Sequence, residues 1–202
     1  MSEQKLYIPT GNPELSGCWG PTKWEFHVTT EMPDMQLITA AGCVAVRGRN
    51  KQETMLTLNT SNNPVRRGKY EVPFGHLDPI DPEKSMRQLE SPWTAAKREL
   101  TEEVGARPGK LYPFGVRKIF NPPVEERPVR YKDSPDITYM QYFVTAAQER
   151  IFMPTDPEHT ICGTFLLGSV RNMCAEGLID ETEYRIIELG MEQYQRIIGS
   201  AS

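Results

Sequence analysis

Residues 90–105 read Glu90-Ser91-Pro92-Trp93-Thr94-Ala95-Ala96-Lys97-Arg98-Glu99-Leu100-Thr101-Glu102-Glu103-Val104-Gly105, and this stretch decides the fold. It sets Glu99, Glu102 and Glu103 at spacings i, i+3 and i+4. At ~100° per residue the three carboxylates fall within about one-sixth of a helix circumference. Like charges so close repel, and a stripe of this kind suits a cation laid over it. An all-carboxylate site selects a hard, oxygen-seeking ion such as Mg²⁺ or Mn²⁺. A solvated acidic face is the other reading of the same three residues.

The helix has its own start and stop signals. Ser91 suits the N-cap, and Pro92 at the first helical position gives up no needed N–H. Ala95, Ala96, Arg98 and Leu100 favour helix. Gly105 fits the stop, and Pro108 blocks continuation. Trp93, Ala96, Leu100 and Val104 form an apolar stripe to face a core.

The stretch resembles the Nudix hydrolase signature, G-x5-E-x7-R-E-U-x-E-E-x-G-U, where U is a bulky aliphatic residue. Glu90 and Arg98 have the required spacing, and Arg98 to Gly105 fits the second half; the last U is Ala106. Gly75, in Pro73-Phe74-Gly75-His76, takes the place of the signature glycine and is expected in a turn. Fourteen residues rather than five separate Gly75 from Glu90, so the loop carries a nine-residue insertion. The resemblance covers residues 35–170 loosely and the first 34 not at all.

The resemblance implies an α/β fold, the Nudix α/β/α sandwich with a mixed central sheet, here with an N-terminal extension (1–34), a Nudix domain (35–202) and a C-terminal helix. It implies Mg²⁺- or Mn²⁺-dependent hydrolysis of a diphosphate. Glu102 and Glu103 are the implied metal ligands, and Glu99 is a third ligand or the group that takes a proton from the attacking water. The carbonyl of Gly75 is a further implied ligand, since glycine lets backbone approach an ion. Arg98 is read as pointing off the stripe and pairing with Glu90. The extra acid that many members draw from a distant loop is sought among Glu125, Glu126, Asp133, Asp136 and Glu158, with Glu126 and Glu158 preferred.

Substrate choice is less legible. A proline about sixteen residues past the box is associated with ADP-ribose-type members, and Pro122 stands there. The tyrosine of dinucleoside polyphosphate hydrolases and the S-Q-P-W-P-F motif of NADH pyrophosphatases are absent, and the coenzyme A signature is not visible. ADP-ribose or a nucleotide sugar is therefore favoured. The alternatives are a house-cleaning nucleoside triphosphate pyrophosphohydrolase and a non-catalytic nucleotide-binding regulator, the latter disfavoured by the intact glutamates. Arg47, Arg66 and Arg67 are candidates for phosphate. Tyr70, with Trp19, Trp24 and Phe74, is a candidate to stack on a ring. His76 and His159 have no spacing partner and are read as structural or solvated.

The 202 residues suffice for one substantial core. No apolar run approaches the ~20 residues that cross a bilayer. Met1 to Lys5 lack the apolar core of a signal peptide. Cys18, Cys43, Cys162 and Cys174 are scattered without a C-x-x-C pair, which disfavours a zinc ribbon and suits reduced thiols in a cytoplasm. A net charge of −4 argues against a nucleic-acid coat. By the resemblance, the aromatic N-terminal segment is a candidate for exchange between subunits, so a homodimer is expected.

Strands are expected at Trp24–Thr29, Leu37–Val46, Thr54–Leu58, Lys69–Val72, Leu111–Phe120 and Ile137–Thr145. From Glu158 onward the pattern reads as helical, with apolar spacing from Ile179 to Ile198. The insertion, 79–89, reads as a proline turn and one helical turn.

Overall fold

The computed structural model describes residues 12–48, 52–80, 89–127, 132–150, 155 and 161–200. Its strands are β1 (Leu15–Trp19), β2 (Thr22–Val28), β3 (Ile38–Arg47), β4 (Glu53–Leu58), β5 (Tyr70–Glu71), β6 (Phe74–His76), β7 (Ala106–Pro108), β8 (Tyr112–Phe120), β9 (Ile137–Arg150) and β10 (Ile161–Leu166). The helices are α1 (Pro92–Glu99), α2 (Leu167–Ala175) and α3 (Glu181–Gly199).

β3 is buried along nearly its whole length, as expected of a strand covered on both faces. It pairs parallel with β9, while its other neighbours, β4 and β6, run antiparallel, so the sheet is mixed. The strand order is β1-β2-β8-β9-β3-β4-β10, with β5 added to β4, β6 to β3 and β7 to β9. Alternation along β3 divides the core. Ala41, Cys43 and Ala45 face α1 with Ala95, Ala96, Leu100 and Val104. Val44 and Val46 face α3 with Ile186, Ile187 and Met191. The α/β/α sandwich follows from these two apolar faces.

Two local expectations are corrected. The strand expected at Trp24–Thr29 is present as β2, but β1 precedes it in a hairpin, and β2 joins the sheet through β8 rather than standing apart as an extension. The segment after residue 160 begins as a strand, not a helix: β10 pairs with β4 from Ile161↔Leu58 to Leu166↔Glu53. Ile161, Thr164 and Phe165 are residues that a pleated strand accepts better than a helix does. α3 then covers the span that the apolar spacing indicated. Among the described residues no helix is long and apolar enough to cross a membrane. All four cysteines are free, Cys43 in the core.

Candidate active site

The acidic helix starts as expected. Ser91 Oγ accepts the Thr94 N–H at 3.1 Å, with Pro92 in the first turn. It does not continue as one α-helix. Leu100–Val104 forms a π turn, which ends at Gly105 with φ 72° and ψ 20°. There glycine is needed, since a side chain disfavours the left-handed region. Glu103 is buried, at 2% exposure, and its Oε2 accepts the Phe74 N–H at 3.1 Å. Glu99 is buried at 6% exposure. The Glu102 side chain is half-exposed.

Gly75 lies within β6, opposite Ala41 of β3, and not in a turn. Its glycine identity has a steric cause. A Cβ there would stand 2.0 Å from Glu99 Oε1 and 2.4 Å from Glu99 Cδ. In the structure this backbone lies against the Glu99 carboxylate. The segment that leads into this strand, β5 and its flanks, is tied to the start of α3 and the loop before it. Tyr70 N–H donates to Leu178 O at 2.8 Å, Val72 N–H to Glu183 Oε1 at 3.0 Å, and Lys69 pairs with Asp180.

Arg98 pairs with Glu90 as expected: Nη2 is 2.7 Å from Glu90 Oε1. It does not point off the stripe. Its Nη1 donates to Glu99 Oε1 at 2.7 Å and to Glu102 Oε2 at 3.1 Å, and Nη2 donates to His76 O at 2.9 Å. A long side chain reaches across an angular offset that spacing alone treats as separation. Glu90 also accepts the Asp78 N–H at 2.9 Å, its own N–H donates to Asp78 O at 2.8 Å, and Pro79 and Leu89 form an isolated bridge. The insertion therefore leaves and returns through one neck, which restores the Gly75–Glu90 relation despite the added length.

Glu99, Glu102 and Glu103 line a cavity of about 480 Å³ whose other wall includes Asn59, Ser61 and Arg66. Burial raises the Glu99 carboxyl to about 7; the charges of Glu103 and Glu102 add to the rise, and Arg98 opposes it. Arg66 is held by Glu71, 2.6 Å from Nη2, and Asn59 Nδ2 donates to the same carboxylate at 2.6 Å. Asn59 and Ser61 are not among the site candidates that the sequence supplies, although Ser61–Gly68 reads as a polar loop carrying Arg66 and Arg67. The run Asn59-Thr60-Ser61-Asn62-Asn63 signals a loop but not what it faces.

Of the other candidates, Arg47 and Arg67 do not line this cavity, and Tyr70 packs edge-on against Phe165 at 5.2 Å. Glu125 and Glu126 sit on an exposed 3-10 turn away from the cavity wall. Pro122 lends its carbonyl to Arg127, which is also bound to Asp136 and Ser134 O. Glu158, His159 and residues 81–88 of the insertion lie outside the described residues.

The donor set fits a hard cation in its chemistry: three carboxylates and a strand backbone at one cavity wall, with a guanidinium already bridging two of them. Among the described residues they are not drawn together in ligand geometry, since Glu99 and Glu102 turn to Arg98.

The chain matches the family model described as NUDIX domain over residues 36–170. No curated protein matches it significantly. Among solved structures, it is similar to the pyrophosphohydrolase BsRppH of Bacillus subtilis, with 15% identity, 78% of this chain and 77% of that chain covered, and a TM-score of 0.51. It is also similar to the NUDIX domain of Shewanella oneidensis NrtR in complex with ADP ribose, with 16% identity, 78% and 88% covered, and a TM-score of 0.50. At these identities the likeness is one of fold.

Proposed function

The chain belongs to the Nudix family and is a hydrolase of diphosphate linkages, and from that premise we propose that it cleaves a nucleoside diphosphate derivative, ADP-ribose or a nucleotide sugar, with Mg²⁺. The observation that carries this reading is the meeting of Glu99, Glu102 and Glu103 with Arg66 around one cavity. Carboxylates alone repel a diphosphate, and a cation held by Glu102, Glu103 and Glu99, with the Gly75 backbone beside them, supplies charge neutralisation and a more acidic water. Glu99 is either the third ligand or the acceptor of the water proton; its raised pKa suits a group that exchanges a proton near neutrality. Arg66 meets phosphate oxygens from the opposite wall. Arg98 acts through position: it fastens Glu90, the His76 carbonyl and the acidic turn together. The ADP ribose held by the NUDIX domain of NrtR supports that substrate class.

The first 34 residues serve the substrate side of this domain in a homodimer, and a monomeric mass in solution counts directly against that part. The substrate test is a panel of ADP-ribose, a nucleotide sugar, NADH, dinucleoside polyphosphates and nucleoside triphosphates with Mg²⁺ or Mn²⁺. AMP release from ADP-ribose and not from ATP is expected. Pyrophosphate release from a triphosphate transfers the site to the house-cleaning class, and no turnover with any member defeats the proposal.

A further inference from the structure

The sheet face that packs against α3 carries a buried cation whose Nε has no hydrogen-bond partner among the described residues. Arg117 on β8 is 6% exposed. Its guanidinium carbon lies 5.0 Å from the centre of the Trp19 ring, 4.8 Å from that of Trp24 and 5.4 Å from that of Tyr142. The two tryptophans come from the β1–β2 hairpin, whose Phe26 is paired in register with Arg117. The aromatic collar attracts the charge but does not satisfy the N–H groups. Nε is buried without a hydrogen-bond partner, and among the described residues no hydrogen bond or ion pair engages the terminal nitrogens.

Burial raises the pKa of the Glu183 carboxyl on α3, and the charge of Arg117 opposes that rise. Glu71, also in this neighbourhood, is engaged by Asn59 and Arg66. Among the described residues neither carboxylate bonds the Arg117 N–H groups, which suit an acceptor edge. Two more observations give the direction. The Tyr142 ring packs on Phe74 at 4.9 Å, and Phe74 lines the carboxylate cavity, so the collar adjoins the proposed site of hydrolysis. Trp19 is 45% exposed, an aromatic surface of the kind on which heterocyclic bases stack.

We infer that Arg117 and Trp19 form the base-recognition subsite: the nucleotide's base stacks on Trp19, and its acceptors receive hydrogen bonds from the Arg117 guanidinium. A purine offers N7, and guanine offers O6 beside it, to such a fork. The inference rests on the reading of the substrate as a nucleotide and adds the residues that hold its base.

The test is binding without turnover. AMP, GMP and ribose 5-phosphate are titrated into the full chain with a chelator present, read by tryptophan fluorescence and by calorimetry. AMP and GMP are expected to bind and to quench, and ribose 5-phosphate to bind at least about tenfold more weakly. Arg117→Met is expected to weaken AMP roughly 10- to 100-fold, and Arg117→Lys to restore part of the loss. Trp19→Ala, at an exposed position, is expected to weaken AMP with little change in melting temperature, and it carries the test if Arg117→Met does not fold. Wild-type affinity for AMP in either folded variant overturns the subsite, as does ribose 5-phosphate binding as tightly as AMP, or no AMP binding by the wild type. A chain that binds AMP through Arg117 and hydrolyses nothing defeats the proposed function alone. Turnover of ADP-ribose with KM unchanged in Arg117→Met defeats the subsite alone.

Discussion

Gly75→Ala adds one methyl group, and the structure says where the cost falls. The new Cβ would lie 2.0 Å from Glu99 Oε1 and 2.4 Å from Glu99 Cδ, about 1.5 Å short of ordinary contact. Gly75 does not occupy the left-handed region, so alanine meets no backbone strain and the clash is the whole effect. Two relaxations are available. Glu99 can shift, but it is 6% exposed and bound to Arg98. Otherwise β6 must lift from β3, against its pairing with Ala41. Overpacking of this kind costs about 1–3 kcal/mol, or roughly 2–12 °C in melting temperature for a chain of this size. A displacement near 1 Å at a reacting group costs about 100-fold in rate, so kcat/KM should fall by that order with Mg²⁺ present. The decisive measurement is a double-mutant cycle by thermal melting. In the Glu99→Ala background the carboxylate is gone, and Gly75→Ala should cost less than about 0.5 kcal/mol. Equal destabilisation by Gly75→Ala in both backgrounds would refute the steric account.

Glu103→Gln keeps an oxygen for the Phe74 N–H, so melting should be preserved within a few degrees while turnover drops roughly 100- to 1000-fold, measured by product release under saturating Mg²⁺. Arg98→Lys replaces a fork that reaches Glu90, Glu99, Glu102 and His76 O by a single ammonium. It should cost about 1–3 kcal/mol in chemical denaturation and lower kcat more than it raises KM. Glu99 titrates near 7 in the fold, above its unfolded value, because burial disfavours its charged form. Its proton-linked stabilisation is therefore complete below about pH 4.5 and lost as pH rises through about 7, at most ~3 kcal/mol. Metal-free melts should show that slope in the wild type and a flatter one in Glu99→Gln. The same titration makes divalent-cation affinity rise with pH up to about 7, and calorimetry in buffers of different ionisation heat should detect the proton released on binding.

The parts of this fold that sequence made legible are those set by neighbours along the chain. The Ser91 cap, the Gly105 stop, the apolar stripe of α1 and the buried run of β3 are local patterns, and each appears where its period put it. β2 was legible as a strand, but not its place beside β8, and strand β10 was obscured because its pairing partner, β4, is distant in the chain. Asn59, Ser61 and Arg117 were obscured for the same reason. A polar loop or a lone arginine in a strand has no local signature for what it faces, and only the folded sheet brings Arg117 beneath Trp19 and Trp24. The π turn is a subtler case: the sequence of Leu100–Val104 is good helix, and no residue type marks the one-residue change of hydrogen-bond register.

The contacts of Arg98 change what the acidic stripe argues. Read as one α-helical row, three carboxylates demand a cation. In the fold, Arg98 already answers the demand for Glu99 and Glu102, at 2.7 and 3.1 Å. Repulsion along the row is therefore a weaker argument for metal than spacing suggested. The stronger one lies in Glu103, at 2% exposure, and in Glu99, whose burial makes its ionised form costly until a second cation arrives. Arg98 cannot satisfy such an ion's ligands and hold them itself at once. A divalent ion held by Glu99 and Glu102 would compete with Nη1 for those carboxylates, whereas Nη2 bonds other acceptors, Glu90 and His76 O. On the proposed reading the pair with Glu90 would therefore keep Arg98 anchored at the neck of the insertion when the site is loaded.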